Sequence, residues 1–157
     1  MPAGSCGKMR NGGTMNRIVL TGNVLWIEND RDVREVVTLL LSNHGAIVQP
    51  YGDGHKALEV FSSDVVDVVL TDYMMPAING VQVLHRIREI DPHTPVILIT
   101  AIPEREALAA SLGDEVFAVL PKPFSVPILL ETIDRGIRHK RRLKVEENKE
   151  RLPEGEH

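Results

Sequence analysis

Apolar and polar positions alternate in blocks from residue 24 to residue 137. Val24-Leu25-Trp26-Ile27 is a short run with no polar interruption, which reads as a strand covered on both faces. It ends abruptly in Glu28-Asn29-Asp30. From Asp32 onward, Val33, Val36, Val37, Leu40 and Leu41 recur at i, i+3, i+4, i+7 and i+8, the stripe of an amphipathic helix. Asn43-His44-Gly45 supplies its polar end, with Gly as the stop. Ala46-Ile47-Val48-Gln49 predicts a second strand, closed by Pro50 and the Gly52-Asp53-Gly54 turn. Ala57, Leu58 and Phe61 mark a second helix, and a third strand is predicted from about Val66 to Thr71. Val83, Leu84, Ile87 and Ile90 make a third helix, stopped by Asp91-Pro92.

Pro95 to Thr100 is a fourth apolar strand. Pro103 with Glu104 and Glu106 fits the first turn of a fourth helix, where Pro needs no donor and acids suit the dipole. That helix is Ala-rich and weakly apolar. Val116 to Leu120 predicts a fifth strand, broken by Pro121-Lys122-Pro123. A fifth helix turns Val126, Leu129, Leu130, Ile133 and Ile137 inward. Five strand-helix units with short connections give right-handed crossovers, hence an α/β doubly wound parallel sheet with helices on both faces. Trp26 and Phe61 are expected in its core.

The flanks behave differently. Residues 1–22 are rich in Gly, Asn, Ser and Thr and are expected to be a flexible leader, with a strand-like piece at Arg17 to Leu20; the second Met at 15 leaves the natural start open. After Ile137 the apolar stripe stops. Arg138-His139-Lys140-Arg141-Arg142 is expected not to pack on a core, so residues 139–157 read as a charged helix extension or tail. A solvated helix end with local ion pairs is one reading, a basic arm for nucleic acid or a partner the other.

Composition narrows the class. At 43% hydrophobic and 25% charged, the 157 residues suit one domain with tails. No apolar run nears the roughly 18 residues of a membrane span, and no apolar stretch follows the basic N-terminus as in a signal peptide. The only cysteine is Cys6, so no internal disulfide can form, which suits a reducing, cytoplasmic setting. Residues 24–124 carry 15 acidic against 7 basic residues, a net of −8. Such a body attracts divalent cations and repels nucleic acid.

Ligands of these sheets bind just outside the carboxyl ends of the strands. At that edge the prediction gathers Glu28-Asn29-Asp30, Asp72, Thr100 and Lys122. The acidic cluster after strand one, Asp72-x-x-Met75-Pro76-x-x-x-Gly80, Thr100-Ala101 and Lys122-Pro123-Phe124 follow in order at matching spacings. Over residues 24 to about 138 the chain resembles the receiver domain of two-component response regulators, which sets the domain at 23–138. The resemblance implies a flavodoxin-like sheet with strand order 2-1-3-4-5.

It also implies a phosphoacceptor in a His-to-Asp phosphorelay rather than a metabolic enzyme, with slow self-dephosphorylation at most. Asp72 would receive the phosphoryl group. Mg²⁺ would be held by Glu28, Asn29, Asp72 and the backbone carbonyl of Met74. Lys122 would pair with Asp72 and then with a phosphoryl oxygen, and the Thr100 hydroxyl would draw the next loop inward. The implied partners are a histidine kinase or phosphotransfer protein, a downstream effector protein or domain, and a second copy through the fourth and fifth helices.

Taken singly, these residues have plainer readings. An Asp after a strand is commonly a turn or cap residue, Thr is common in strands, and a lone Lys is a surface charge. Met74 and Met75 read as packing, and Gly80 as a turn or close helix approach. Lys122 lies between two prolines, and the Lys122-Pro123 bond is a candidate for cis. His44, His55, His85, His93 and His139 show no metal spacing and read as surface residues.

Two departures from the receiver pattern stand out. Receivers usually have two consecutive carboxylates where this chain has Glu28-Asn29. An amide oxygen brings no charge, so weaker Mg²⁺ binding is expected, unless Asp30, sharing a side with Glu28 in a continued strand, swings in. The usual aromatic three residues before the Lys is Val119, with Phe117 two residues earlier on the same face by alternation. Either the signal leaves by the fourth or fifth helix instead, or, in the plainer reading, Val119 is simply core. Asn29 and Val119 are the evidence for the alternative, a pseudo-receiver that binds partners without phosphorylation; against it, Asp72, Thr100 and Lys122 are all intact. A flavodoxin-like cofactor binder or an Asp-nucleophile phosphatase is disfavoured: strand one lacks a Gly/Ser/Thr-rich phosphate loop, and Asp72-Tyr73-Met74 lacks a second Asp. No output domain follows residue 140 here, and whether the unit stands alone or leads into an effector stays open.

Overall fold

The computed structural model describes residues 17–151. Five strands, β1 (Asn23–Ile27), β2 (Ile47–Tyr51), β3 (Val68–Asp72), β4 (Val96–Thr100) and β5 (Ala118–Pro121), form one parallel sheet in the order β2-β1-β3-β4-β5. Helices α1 (Arg31–Asn43), α2 (Gly54–Val60), α3 (Gly80–Ile90), α4 (Arg105–Leu112) and α5 (Val126–Arg151) alternate with them. The doubly wound class and the strand order are as expected.

Alternation along each strand divides the core in two. Val24, Trp26, Val68, Leu70, Ile97, Ile99 and Leu120 face α1 and α5. Leu25, Ile27, Val69, Val96, Leu98 and Val119 face α2, α3 and α4. Every residue of β3 and β4 is buried, which is why these strands show apolar runs instead of a period of two.

Local chemistry sets the helix ends. Asp30 caps α1, its carboxylate accepting from the amides of Asp32 and Val33. Gly45, with φ of 102°, stops the same helix in a backbone conformation that L side chains rarely adopt. Asn79 and Gln82 form a capping box at α3.

Several boundaries shift from the sequence reading. Strand β2 runs through Pro50 to Tyr51 because it is an edge strand, where a missing amide costs no ladder bond. Strand β3 starts at Val68, two residues late, because Asp67 serves the β1 end: its amide donates to Asn23 O and its carboxylate accepts from Asn23 N. Strand β5 starts at Ala118, since Gly113–Glu115 form a 3₁₀ turn. Helix α4 begins at Arg105 with Glu104 as its cap, so Pro103 lies before the helix. The segment Arg17–Leu20 forms no strand, yet Leu20 is fully buried and its amide donates to His44 O. Trp26 is fully buried; Phe61 is half-buried against the α2–α4 side.

The basic stretch is the largest correction. Lys140 is 2% exposed, and its ammonium donates to Thr94 Oγ1 at 2.5 Å, Val66 O at 3.1 Å and Asp91 Oδ2 at 3.3 Å. Arg141 bonds Thr21 and lies 3.7 Å from Asp67; Lys144 donates to Asp64 O. The expectation that residues 138–142 cannot pack on a core fails at Lys140, because a long stem crosses apolar surface to reach polar groups at the opposite pole from Asp72. Helix α5 continues to Arg151. Among the described residues, no helix is long and apolar enough to cross a membrane.

Candidate functional site

Parallel strands end together, so the carboxyl edge of the sheet collects side chains far apart in sequence. Asp72 is the last residue of β3, opposite Ile99 of β4, and Thr100 ends β4 opposite Pro121 of β5. Glu28 follows β1 directly, its amide bonded to Tyr51 O at 3.0 Å. Lys122 follows β5, its amide bonded to Thr100 O at 2.8 Å. The Lys122-Pro123 peptide is cis.

Three of these side chains, Glu28, Asp72 and Lys122, are brought into one small space. Lys122 Nζ lies 3.0 Å from Asp72 Oδ1 and 2.9 Å from Glu28 Oε1. Glu28 is 1% exposed, Thr100 1% and Asp72 5%. Lys122 was expected to pair with Asp72; that it also holds Glu28 is a finding of the structure. The second oxygen of Glu28 accepts from the Asp30 amide at 3.1 Å. The Thr100 hydroxyl accepts from the Ile102 amide at 3.1 Å, which ties it to the loop before α4.

One ammonium serves two buried carboxylates, so the cluster keeps a net negative charge. Burial pushes the Asp72 carboxyl above its ordinary value; the hydrogen bond from Lys122 opposes this, and the nearby charge of Glu28 adds to it. Burial by itself would lower Lys122, but its bonds to Glu28 and Asp72 outweigh that and hold the ammonium above its usual range.

The expected metal ligands are only partly assembled. Glu28 and Asp72 converge on the Lys122 ammonium, a position where hard oxygens already meet a cation. That donor set fits Mg²⁺ in type. Asn29 is exposed, and Asp30 is an exposed helix cap instead of swinging in beside Glu28. Among the described residues, no three His, Cys, Asp or Glu side chains cluster as a metal site. Met74 has its side chain exposed in the turn after Asp72, while Met75 packs against the α2–α4 side of the core.

Gly80 sits where no side chain fits: a Cβ there would lie 2.6 Å from Asp72 O. Ala77, in the same loop, holds a φ of 69°, which few non-glycine residues adopt. Val119 is buried among the α2–α4 residues, as in the plainer reading. Phe117 is a correction: it precedes β5, so strand alternation does not reach it, and it packs on the α1–α5 side against His139 at 5.6 Å. His44 likewise is half-buried, its Nδ1 2.9 Å from Ile18 O.

Sequence reasoning missed Arg34. Its guanidinium donates to Glu28 O at 2.7 Å, and its own carbonyl accepts from Trp26 Nε1 at 3.1 Å. The one available signal was Trp26 itself, since a buried indole N–H needs an acceptor.

A sequence profile for the response regulator receiver domain matches residues 24–134. The DNA-binding transcriptional regulator NtrC of Proteus hauseri is 31% identical over 131 residues, 83% of this chain and 28% of that protein. A response regulator receiver protein of Anaeromyxobacter sp. is 35% identical over 107 residues, 68% of this chain and 45% of that protein. The chain thus spans less than half the length of these relatives. Among solved structures, a response regulator receiver domain protein from Clostridium thermocellum superposes with a TM-score of 0.73 at 27% identity, covering 78% of this chain and 98% of that one.

Proposed function

Because the chain belongs to the response regulator receiver domain family, we propose that Asp72 is its phosphoacceptor in a His-to-Asp phosphorelay. The observation that carries the reading is the Lys122 ammonium at 3.0 Å from Asp72 Oδ1 in a buried, hydrogen-bonded cluster. A carboxylate oxygen of Asp72 attacks the phosphorus of a phosphohistidine. The P–N bond breaks as the O–P bond forms, and the imidazole nitrogen leaves with the electron pair and takes a proton from water. The product is an acyl phosphate on Asp72.

Each neighbour then has a task. Lys122 shifts its bond from the carboxylate to a phosphoryl oxygen, neutralising part of the added charge. Thr100 turns its hydroxyl hydrogen toward another phosphoryl oxygen. The hydroxyl already accepts from the Ile102 amide, so that movement draws the loop before α4 with it. Mg²⁺, when bound, neutralises charge on the phosphoryl group, with Glu28 and Asp72 as its carboxylate ligands and Asn29 and the Met74 carbonyl as the remaining candidates. The chain is a switch whose chemistry is limited to accepting a phosphoryl group and slowly losing it to water. Acting in the cytoplasm, it has as partners a histidine kinase or phosphotransfer protein and a downstream effector.

A pseudo-receiver that binds partners unphosphorylated is favoured by one observation, the exposed Asn29 beside a capping Asp30. Intact-mass measurement after acetyl phosphate and Mg²⁺ separates the two. The proposal expects one phosphoryl adduct on the native chain and none on Asp72→Asn; a native chain of unchanged mass supports the pseudo-receiver.

A further inference from the structure

Glu28 reaches the phosphoacceptor site from a loop of three residues between β1 and α1, and the direction of its carboxylate depends on how that loop is held. Its backbone has two fixed points. The amide donates to Tyr51 O at 3.0 Å, and the carbonyl accepts from Arg34 Nη1 at 2.7 Å. The second bond is charge-assisted, the stronger kind. Arg34 is itself anchored: Trp26 Nε1 and, at 2.6 Å, Thr38 Oγ1 both donate to its carbonyl. The end of β1 and the first turn of α1 are therefore tied together through one residue.

The opposite wall is Gly52, just after β2. A Cβ at Gly52 would lie 2.8 Å from Arg34 Nη1 and 3.3 Å from its Cζ. The guanidinium thus fills the space that a side chain at 52 would occupy. The backbone of Gly52 is not in the left-handed region, so an alanine there meets the arginine and not its own φ.

We infer that Arg34 is a positioning residue of the phosphoacceptor site, holding the Glu28 backbone so that its carboxylate faces Lys122 and any cation shared with Asp72, with Gly52 leaving the guanidinium its room. This rests on the proposed function for what Glu28 serves, but not for how Glu28 is held. Partners that orient a ligand from behind commonly alter metal affinity by about tenfold or more when removed. A lysine at 34 keeps the charge and can donate one bond from a more flexible stem, so it restores part of the effect. Mere packing of α1 on β1 predicts a different pattern: lower stability with an unchanged cation site.

The test uses the full chain, with Mg²⁺ binding measured by calorimetry and phosphorylation by acetyl phosphate followed against Mg²⁺ concentration. Arg34→Ala and Gly52→Ala are each expected to weaken Mg²⁺ binding about tenfold. The rate at saturating Mg²⁺ changes little, and Arg34→Lys falls between. Gly52→Ala added to Arg34→Ala brings no further loss, because the group it displaces is gone. Native-like Mg²⁺ affinity in Arg34→Ala, with or without a lower melting temperature, overturns the inference. So does a Gly52→Ala chain that binds as the native one does, or a native chain with no binding heat. A native chain that binds Mg²⁺ but takes no phosphoryl group sinks the proposed function, while the order of affinities still decides the role of Arg34.

Discussion

Lys122 Nζ stands 3.0 Å from Asp72 Oδ1, although fifty positions separate the two residues in the chain. The same ammonium is 2.9 Å from Glu28, whose side chain is 1% exposed. Replacing Lys122 by Met leaves two buried carboxylates facing each other with no cation. Removing one partner of a buried pair typically costs about 3 kcal/mol or more. Chemical denaturation at pH 7 is expected to show that loss for Lys122→Met, together with slower formation of any Asp72 adduct. Native-like stability would mean the cluster is wetter and looser than its distances imply.

Asp72 gives the pH dependence its sign. Its carboxyl titrates above the ordinary 3.8 because burial disfavours the charge. The folded chain therefore holds this proton more tightly than the unfolded chain. Above pH 3.8 the unfolded state gives it up first, so the contribution of Asp72 to stability falls as pH rises through the folded value. Asp72→Asn removes that burden. Its melting temperature should exceed the native one at neutral pH, with the gap shrinking as pH drops toward 3.8. A gap that stays constant with pH would contradict the assignment.

The architecture was legible because each level of the sequence agreed with the next. The uninterrupted runs of β3 and β4 announced strands buried on both faces, and Asp72 and Thr100 stand at the ends of those runs. Asn29 and Asp30 were harder: only the cap that Asp30 makes at α1 shows that it does not turn toward Glu28. Lys140 was illegible for a physical reason. Periodicity scores a lysine as solvent-facing, yet its stem is apolar and its acceptors, Val66, Asp91 and Thr94, lie in two loops remote in sequence. Phe117 failed similarly, since alternation holds only inside a strand and β5 begins one residue later.

The Lys140 cluster leads to a prediction about α5. Lys140→Ala leaves Asp91 without its ammonium and should destabilise the chain by about 3 kcal/mol. Hydrogen exchange should quicken in the last turns of α5 more than in β3 or β4, because Lys140 pins that part of the helix to the body. Unchanged exchange over residues 138–151 would show that Arg141 and Lys144 suffice to hold it.

Gly80 gives a steric test. An alanine there puts its Cβ 2.6 Å from Asp72 O and 3.0 Å from Tyr73 Cα, both backbone atoms that cannot rotate aside. Gly80→Ala is expected to cost about 2 kcal/mol and to lower the phosphorylation rate, because helix α3 must back away from the acceptor. A fully stable, fully reactive Gly80→Ala chain would show that the β3–α3 loop is free to move.

The central claim is that a carboxylate takes a phosphoryl group from nitrogen, and labelled phosphoramidate, a small P–N donor, tests it directly. With Mg²⁺ present, the account predicts one label per native chain, mapped to Asp72 by peptide mass, released by hydroxylamine as an acyl phosphate is, and missing from Asp72→Asn. No label on the native chain, or label that persists in Asp72→Asn, would contradict it.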